Sequence, residues 1–167
     1  DKEVPDAARA LLESNVKDEI KHDLALGYIT NALGVDDKAE AEALRLRAAW
    51  EQHPDHTILK ALVAERAIFF VLLPFFRFCG DAGLRTVSAD ISRDEQVHVA
   101  ANSLVCTGLG LKPSQSLDKL RKATINWVMQ PLKQSADRYL DKKFWLDASD
   151  RLMYLSLIHI SEPTRHA

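Results

Sequence analysis

The sequence predicts an all-α fold, a helical bundle, and three observations carry that expectation. Apolar residues recur at three- and four-residue steps, as in Leu11, Leu12, Val16, Ile20 and Leu24. Glycines punctuate the periodic stretches at Gly34, at Gly80 and Gly83, and at Gly108 and Gly110, where helices stop. No strand-like alternation of useful length interrupts the pattern. At 167 residues and 47% hydrophobic, the chain suits one domain with a real core.

The elements follow in order. Pro5 sits near the first helix start, where its missing N–H costs nothing. That helix runs to about Leu33, and Gly34 stops it. Asp36 and Asp37 open a second helix, alanine-rich and charged, to about Gln52. His53-Pro54-Asp55-His56 reads as a loop, and its two histidines as loop residues rather than a metal pair. Thr57 is placed to cap a third helix, which passes through Glu65 to about Cys79. A fourth helix runs from about Leu84 to Val105, and a fifth from Ser116 to about Leu132. A last helical stretch covers about Ser135 to Asp141, with a short one after Leu146.

The run from Ala67 to Phe76, AIFFVLLPFF, is closed by Arg66 and Arg77. It is far shorter than the roughly 18 to 20 residues needed to cross a bilayer, so it reads as a buried core helix and no membrane span is expected. Pro74 within it removes a helix hydrogen bond and predicts a kink or loosening, which would let Glu65 shift its binding mode. Trp50, Trp127 and Trp145 are expected in core or interface packing.

The ends stand apart. Residues 156–167, SLIHISEPTRHA, lack a helical pattern and resemble the translation of a sequencing adaptor, so they are set aside together with His159 and His166. Residues 1–155 are read as the native domain, a fragment of a longer protein, because the chain opens without Met on an immediate helix. No signal peptide is visible at the start.

A net charge of −2 gives no reason to expect nucleic acid or an anionic membrane as partner. The basic cluster of Lys119, Arg121, Lys122 and Lys133 is too sparse to change that. Cys79 and Cys106 lack metal-site spacing and read as buried free thiols in a reducing cytoplasm.

One internal echo carries chemistry. Asp18-Glu19-Ile20-Lys21-His22 and Asp94-Glu95-Gln96-Val97-His98 are both Asp-Glu-x-x-His, each in the middle of a long helix. Glu and His three positions apart share one helix face, so both reach one metal ion. A lone pair of this kind is usually a solvated face, but here there are two. Glu65, on a third helix, enters a very apolar run, and a carboxylate there needs a partner. Two Glu-x-x-His helices with two single-carboxylate helices make the ligand set of di-iron and di-manganese carboxylate bundles. Oxygen and imidazole donors suit iron and manganese. Five of the six ligands are present: Glu19, His22, Glu65, Glu95 and His98. Glu3 and Glu13 are poor candidates for the sixth, since Glu13 lies roughly 600° of helical turn from Glu19. The missing ligand is expected on a helix before residue 1, so the bundle is read as truncated.

The segments Ala64-Glu65-Arg66-Ala67-Ile68-Phe69-Phe70 and Asp90-Ile91-Ser92-Arg93-Asp94-Glu95-Gln96-Val97-His98 resemble the beta subunit of class I ribonucleotide reductase, a ferritin-like protein. The resemblance covers about Val4 to Tyr154. It implies that Glu19, His22, Glu65, Glu95 and His98 hold a pair of iron or manganese ions. It implies that Asp94 accepts a hydrogen bond from the far ring nitrogen of His22 and serves radical transfer. The implied partners are a second copy, as a homodimer, and the large catalytic (alpha) subunit. Where the common form of the family carries its radical tyrosine, this chain has Leu26, and Tyr28 lies on another face. The link from Glu19 to Glu65 is also short for the family. The resemblance therefore implies a tyrosyl-free cofactor, with the oxidising equivalent kept on a manganese-containing pair. The chain also resembles acyl-carrier-protein desaturases in Asp-Glu-x-x-His and in Glu-Arg-Ala, although its phenylalanines leave little room for an acyl channel. A helical interaction module with coincidental Glu-x-x-His pairs is the reading from a different class.

Overall fold

A computed structural model describes Val4 and residues 6–161, with the backbone alone for Ala7 and residues 155–161. The readings of Pro5, Glu3, the side chain of His159, His166 and residues 162–167 lie outside the described residues. What is described is all-α, with one isolated bridge between Lys133 and Asp141.

Helix α1 spans Asp6–Leu33 and ends where Gly34, at φ 79°, turns its N–H back to the Thr30 carbonyl at 2.9 Å. Helix α2 spans Asp37–Gln52, capped by the Asp36 carboxylate accepting from the Ala39 N–H at 2.8 Å. Helix α3 spans Thr57–Ala64, and its cap is His56 rather than Thr57: the imidazole Nδ1 accepts from the Ile58 N–H at 3.2 Å. A cap acts one residue before the first helical position, and Thr57 is already inside. Helix α4 spans Phe70–Cys79 and α5 spans Ala82–Gly108, capped by Asp81. Between α4 and α5 a Cβ on Gly80 would meet the Phe76 carbonyl at 2.4 Å, so this tight turn admits only glycine.

Helix α6 spans Gln115–Val128, capped by Ser114 rather than opened by Ser116, and it ends four residues before the expected Leu132. The stretch expected to be helical at 135–141 holds a single 3-10 turn, Arg138–Leu140. Helix α7, Lys142–Ser161, is longer than the short piece expected after Leu146. The Asp141 carboxylate accepts from the Phe144 N–H at 3.1 Å and fixes its start. Its buried stripe, Trp145, Ser149 and Met153, alternates large, small and flexible side chains, which blurs the periodicity. The backbone stays helical past residue 155 to Ser161, where no helical pattern was expected, because extending a nucleated helix costs little.

Helix α5 is the axis of the fold and packs against α1, α3 and α4. The core lies on the other side of α3 and α4. One cluster joins Leu59, Leu62, Val63, Ala67, Cys106, Leu117 and Met153, and a second joins Ile68, Val71, Ile125, Met129 and Trp145. Trp145 is buried, whereas Trp50 and Trp127 are half-buried, Trp50 donating to Thr124 Oγ1 at 2.9 Å. Of the two free thiols only Cys106 is buried; Cys79 is exposed, being the last residue of α4 as it leaves the core.

Helices α3 and α4 are joined by a π turn, Glu65–Phe69. The distortion expected from Pro74 falls here instead, and Pro74 sits inside α4. Glu65, Ala67 and Ile68 of this turn are all buried, Glu65 against Asn102 of α5 and the other two in the core clusters. Two contacts clamp it to α7: Arg66 Nε donates to the Leu152 carbonyl at 3.2 Å, and the Ser149 hydroxyl donates to the Ala67 carbonyl at 2.6 Å. Ser149 is in turn held by the fully buried Arg121, which also pairs with Asp118 and Asp150.

Candidate metal centre

Helix α1 lies along α5, and this brings the two Asp-Glu-x-x-His segments face to face. The rings of His22 and His98 stand 5.9 Å apart. Each imidazole turns Nδ1 toward both intervening carboxylates. His98 Nδ1 is 3.2 Å from Glu19 Oε1 and 3.6 Å from Glu95 Oε2. His22 Nδ1 is 3.4 Å from Glu95 Oε1 and 3.7 Å from Glu19 Oε2. Glu19 and Glu95 thus each present one oxygen to each histidine. Glu65 completes one side: donor atoms of Glu19, Glu65, Glu95 and His98 all lie within 4.8 Å of one another. All five residues singled out from the sequence converge.

The far ring nitrogens are held crosswise. His22 Nε2 lies 3.0 Å from Asp94 Oδ2, the contact that the resemblance implies. His98 Nε2 faces Asp18 Oδ2 at 3.5 Å, a looser version of the same contact. The aspartate of each motif therefore addresses the histidine of the other. Lys21 donates to Asp18 at 2.9 Å and holds its carboxyl below the usual range. A proton kept on Nε2 leaves the Nδ1 lone pair free to ligate.

Burial and crowding disfavour charge on the carboxylates of the site. Burial, with repulsion from Glu19, Glu65 and Asp94, pushes the Glu95 carboxyl up to about 8. Burial pushes Glu65 up to about 7, against the hydrogen bond from Asn102. Nδ1 of both histidines and Glu95 Oε2 are buried with no hydrogen-bond partner. Buried polar atoms are almost always satisfied, so this concentration of orphans at one point fits a metal pair. The donors, carboxylate oxygens and imidazole nitrogens, suit iron or manganese.

Two features were not legible as site residues beforehand. Asn102 Nδ2 donates to both oxygens of Glu65, at 3.0 and 2.8 Å. It lies four residues after His98, so extending the ligand face of α5 by one turn finds it. Asp18 was visible in the motif, but its role toward His98 depends on how α1 crosses α5. Leu26 lines a cavity of about 250 Å³ beside Glu19, His22 and Glu95, walled also by Leu72, Leu73, Phe76 and Ile91. Tyr28 faces away, into a groove with Ile29, Leu33 and Leu84. Glu13 is exposed. His53 Nε2 meets Ser116 Oγ at the start of α6 at 3.1 Å.

No helix among the described residues is long and apolar enough to cross a membrane. Comparison of the chain with protein-family models, curated proteins and solved structures finds no match.

Proposed function

We propose that the chain is a di-metal carboxylate protein of the ferritin-like type, acting in the cytoplasm as the small, radical-generating subunit of a class I ribonucleotide reductase. The observation that carries the metal reading is the shared geometry of Glu19 and Glu95, each with one oxygen toward His22 and one toward His98. When bound, an iron or manganese pair supplies one-electron oxidising power. The chain's own residues do the rest. Glu19, Glu95 and the Nδ1 atoms of His22 and His98 would hold the pair, with Glu65 on the His98 side. Asp94 fixes the His22 ring, and its half-exposed carboxylate connects the site to the surface, where the large catalytic subunit would dock. Leu72, Leu73 and Phe76 form the apolar wall of the cavity beside the site. As the resemblance implies, the subunit pairs with itself. With Leu26 at the tyrosine position the chain offers no oxidisable ring there, so unpaired spin would stay with the metals.

The test has two stages. Metal-depleted chain is titrated with manganese(II) and iron(II), and about two ions per protomer are expected. The loaded protein is then combined with a class I large subunit and assayed for deoxynucleotides. Absence of metal binding in the first stage turns the reading toward a helical interaction module.

A second reading is favoured by two observations. The Asp18–His98 contact repeats Asp94–His22, which suits the doubled Asp-Glu-x-x-His of desaturases. The cavity beside Glu19, His22 and Glu95 is walled on its other side by Leu26, Leu72, Leu73, Phe76 and Ile91. A loaded protein that oxidises a hydrocarbon chain and reduces no nucleotide would select this reading.

A further inference from the structure

We infer that Asn102 is a positioning residue that limits Glu65 to single-oxygen binding on the His98 side of the metal pair. The inference rests on the metal reading above and adds a determinant to it. Asn102 is 3% exposed and follows Glu95 and His98 on the same face of α5. Its Nδ2 stands 2.8 and 3.0 Å from the two oxygens of Glu65. A donor that close to both oxygens occupies the open side of the carboxylate, between them. An ion chelated by both oxygens has to sit in the same place. Chelation and the Asn102 contact therefore exclude one another, whereas one oxygen can still bind an ion through its remaining lone pair.

Packing alone does not restrict Glu65 in this way. A cavity of about 350 Å³ borders Glu65 together with Glu19, Asn15, Ala61, Phe69 and Asn102, so the side chain has room to turn. Its backbone sits at the head of the π turn rather than in a regular helix. The ties to α7 fix the backbone of that turn, the cavity leaves the carboxylate room to rotate, and the amide of Asn102 is the group that orients it. A hydrogen bond from a neutral amide does this without adding a charge to three clustered carboxylates.

Cobalt(II) is the probe, because its visible absorption reports coordination number without any turnover. The wild-type chain, Asn102→Leu and Asn102→Gln are titrated with cobalt(II) and followed by absorption and calorimetry, with circular dichroism as the folding control. Leucine has a similar volume and no donor; glutamine keeps the amide and has the cavity to accommodate its extra methylene. Asn102→Leu is expected to raise the coordination number, weakening the visible bands, and to change affinity on one side of the pair by roughly 10-fold, the scale of lost contacts to ligands. Asn102→Gln is expected to keep the wild-type spectrum. If Asn102→Leu matches wild type in spectrum and affinity, the inference is overturned and the metal reading stands. If wild type binds no cobalt, the metal reading falls first and takes the inference with it. If Asn102→Leu does not fold, a crystal structure of the metal-loaded wild type decides: Glu65 on one oxygen with Asn102 still in contact supports the inference, and a chelating Glu65 overturns it.

Discussion

Asp94 Oδ2 lies 3.0 Å from Nε2 of His22, a residue 72 positions earlier in the chain. The contact crosses from α5 to α1 and turns Nδ1 of the same ring toward Glu19 and Glu95. Removing the acceptor frees the ring and its tautomer. Asp94→Ala is expected to weaken the His22 position by about 10- to 100-fold, while Asp94→Asn, which retains an acceptor oxygen, is expected to spare metal loading and impair radical transfer. Calorimetric titration with manganese(II) measures the first effect. Equal binding by wild type and Asp94→Ala would remove Asp94 from the site.

The raised carboxyls make the metal-free chain pH-sensitive. Glu65 at about 7 and Glu95 at about 8 both lie above the ordinary 4.5. Between those values the folded chain holds protons that the unfolded chain has released. Stability from these groups is therefore complete below about pH 4.5 and declines as pH rises through 7 and 8. Thermal unfolding in chelator should show a lower Tm at pH 8.5 than at pH 6. Divalent metal should raise the Tm most at the higher pH, since binding replaces the protons. A metal-free Tm that climbs across this range would contradict the assignment of charge to the site.

Glu95→Gln separates folding from function at one position. Glu95 is 1% exposed and repelled by Glu19, Glu65 and Asp94. The neutral amide is expected to stabilise the metal-free chain above pH 8 and to abolish binding of the metal pair. Glu95→Ala and His98→Ala should also lose binding, and with it metal oxidation. A Glu95→Gln protein that still takes up two ions would show that Glu95 does not bridge.

Ser149 links the π turn to the buried Arg121. Ser149→Ala leaves the Ala67 carbonyl and an Arg121 donor without their partner, a cost of about 1–3 kcal/mol for buried groups. Urea unfolding measures it. The same variant should weaken binding on the Glu65 side, because the turn that aims Glu65 loses one of its two ties to α7. Loss of stability with unchanged metal affinity would confine Ser149 to folding.

Leu26→Tyr places an oxidisable ring in the cavity beside Glu19 and His22. Under the proposed function it is not required for activity, and the unpaired spin of the unsubstituted protein is metal-centred. Electron paramagnetic resonance of loaded wild type checks this. A dominant tyrosyl signal there would refute it.

The sequence by itself determined the all-α class, the helical positions of Glu19, His22, Glu65, Glu95 and His98, and their pairing within each motif. Those follow from local periodicity and from the three-residue spacing that puts Glu and His on one face. Tertiary structure alone decided which oxygen faces which ring, that Asp18 answers to His98 as Asp94 does to His22, and that Asn102 holds Glu65. These depend on how α1 crosses α5 and on contacts between residues tens of positions apart, which no local pattern encodes. The π turn at Glu65 belongs with them. It is tied from a helix some eighty residues on, where Ser149 and the Leu152 carbonyl meet Ala67 and Arg66 of the turn, and no pattern within residues 65–69 records those contacts. The length of α7 was hidden for a related reason: its buried stripe of Trp145, Ser149 and Met153 earns its place by contact with other helices rather than by a uniform apolar face.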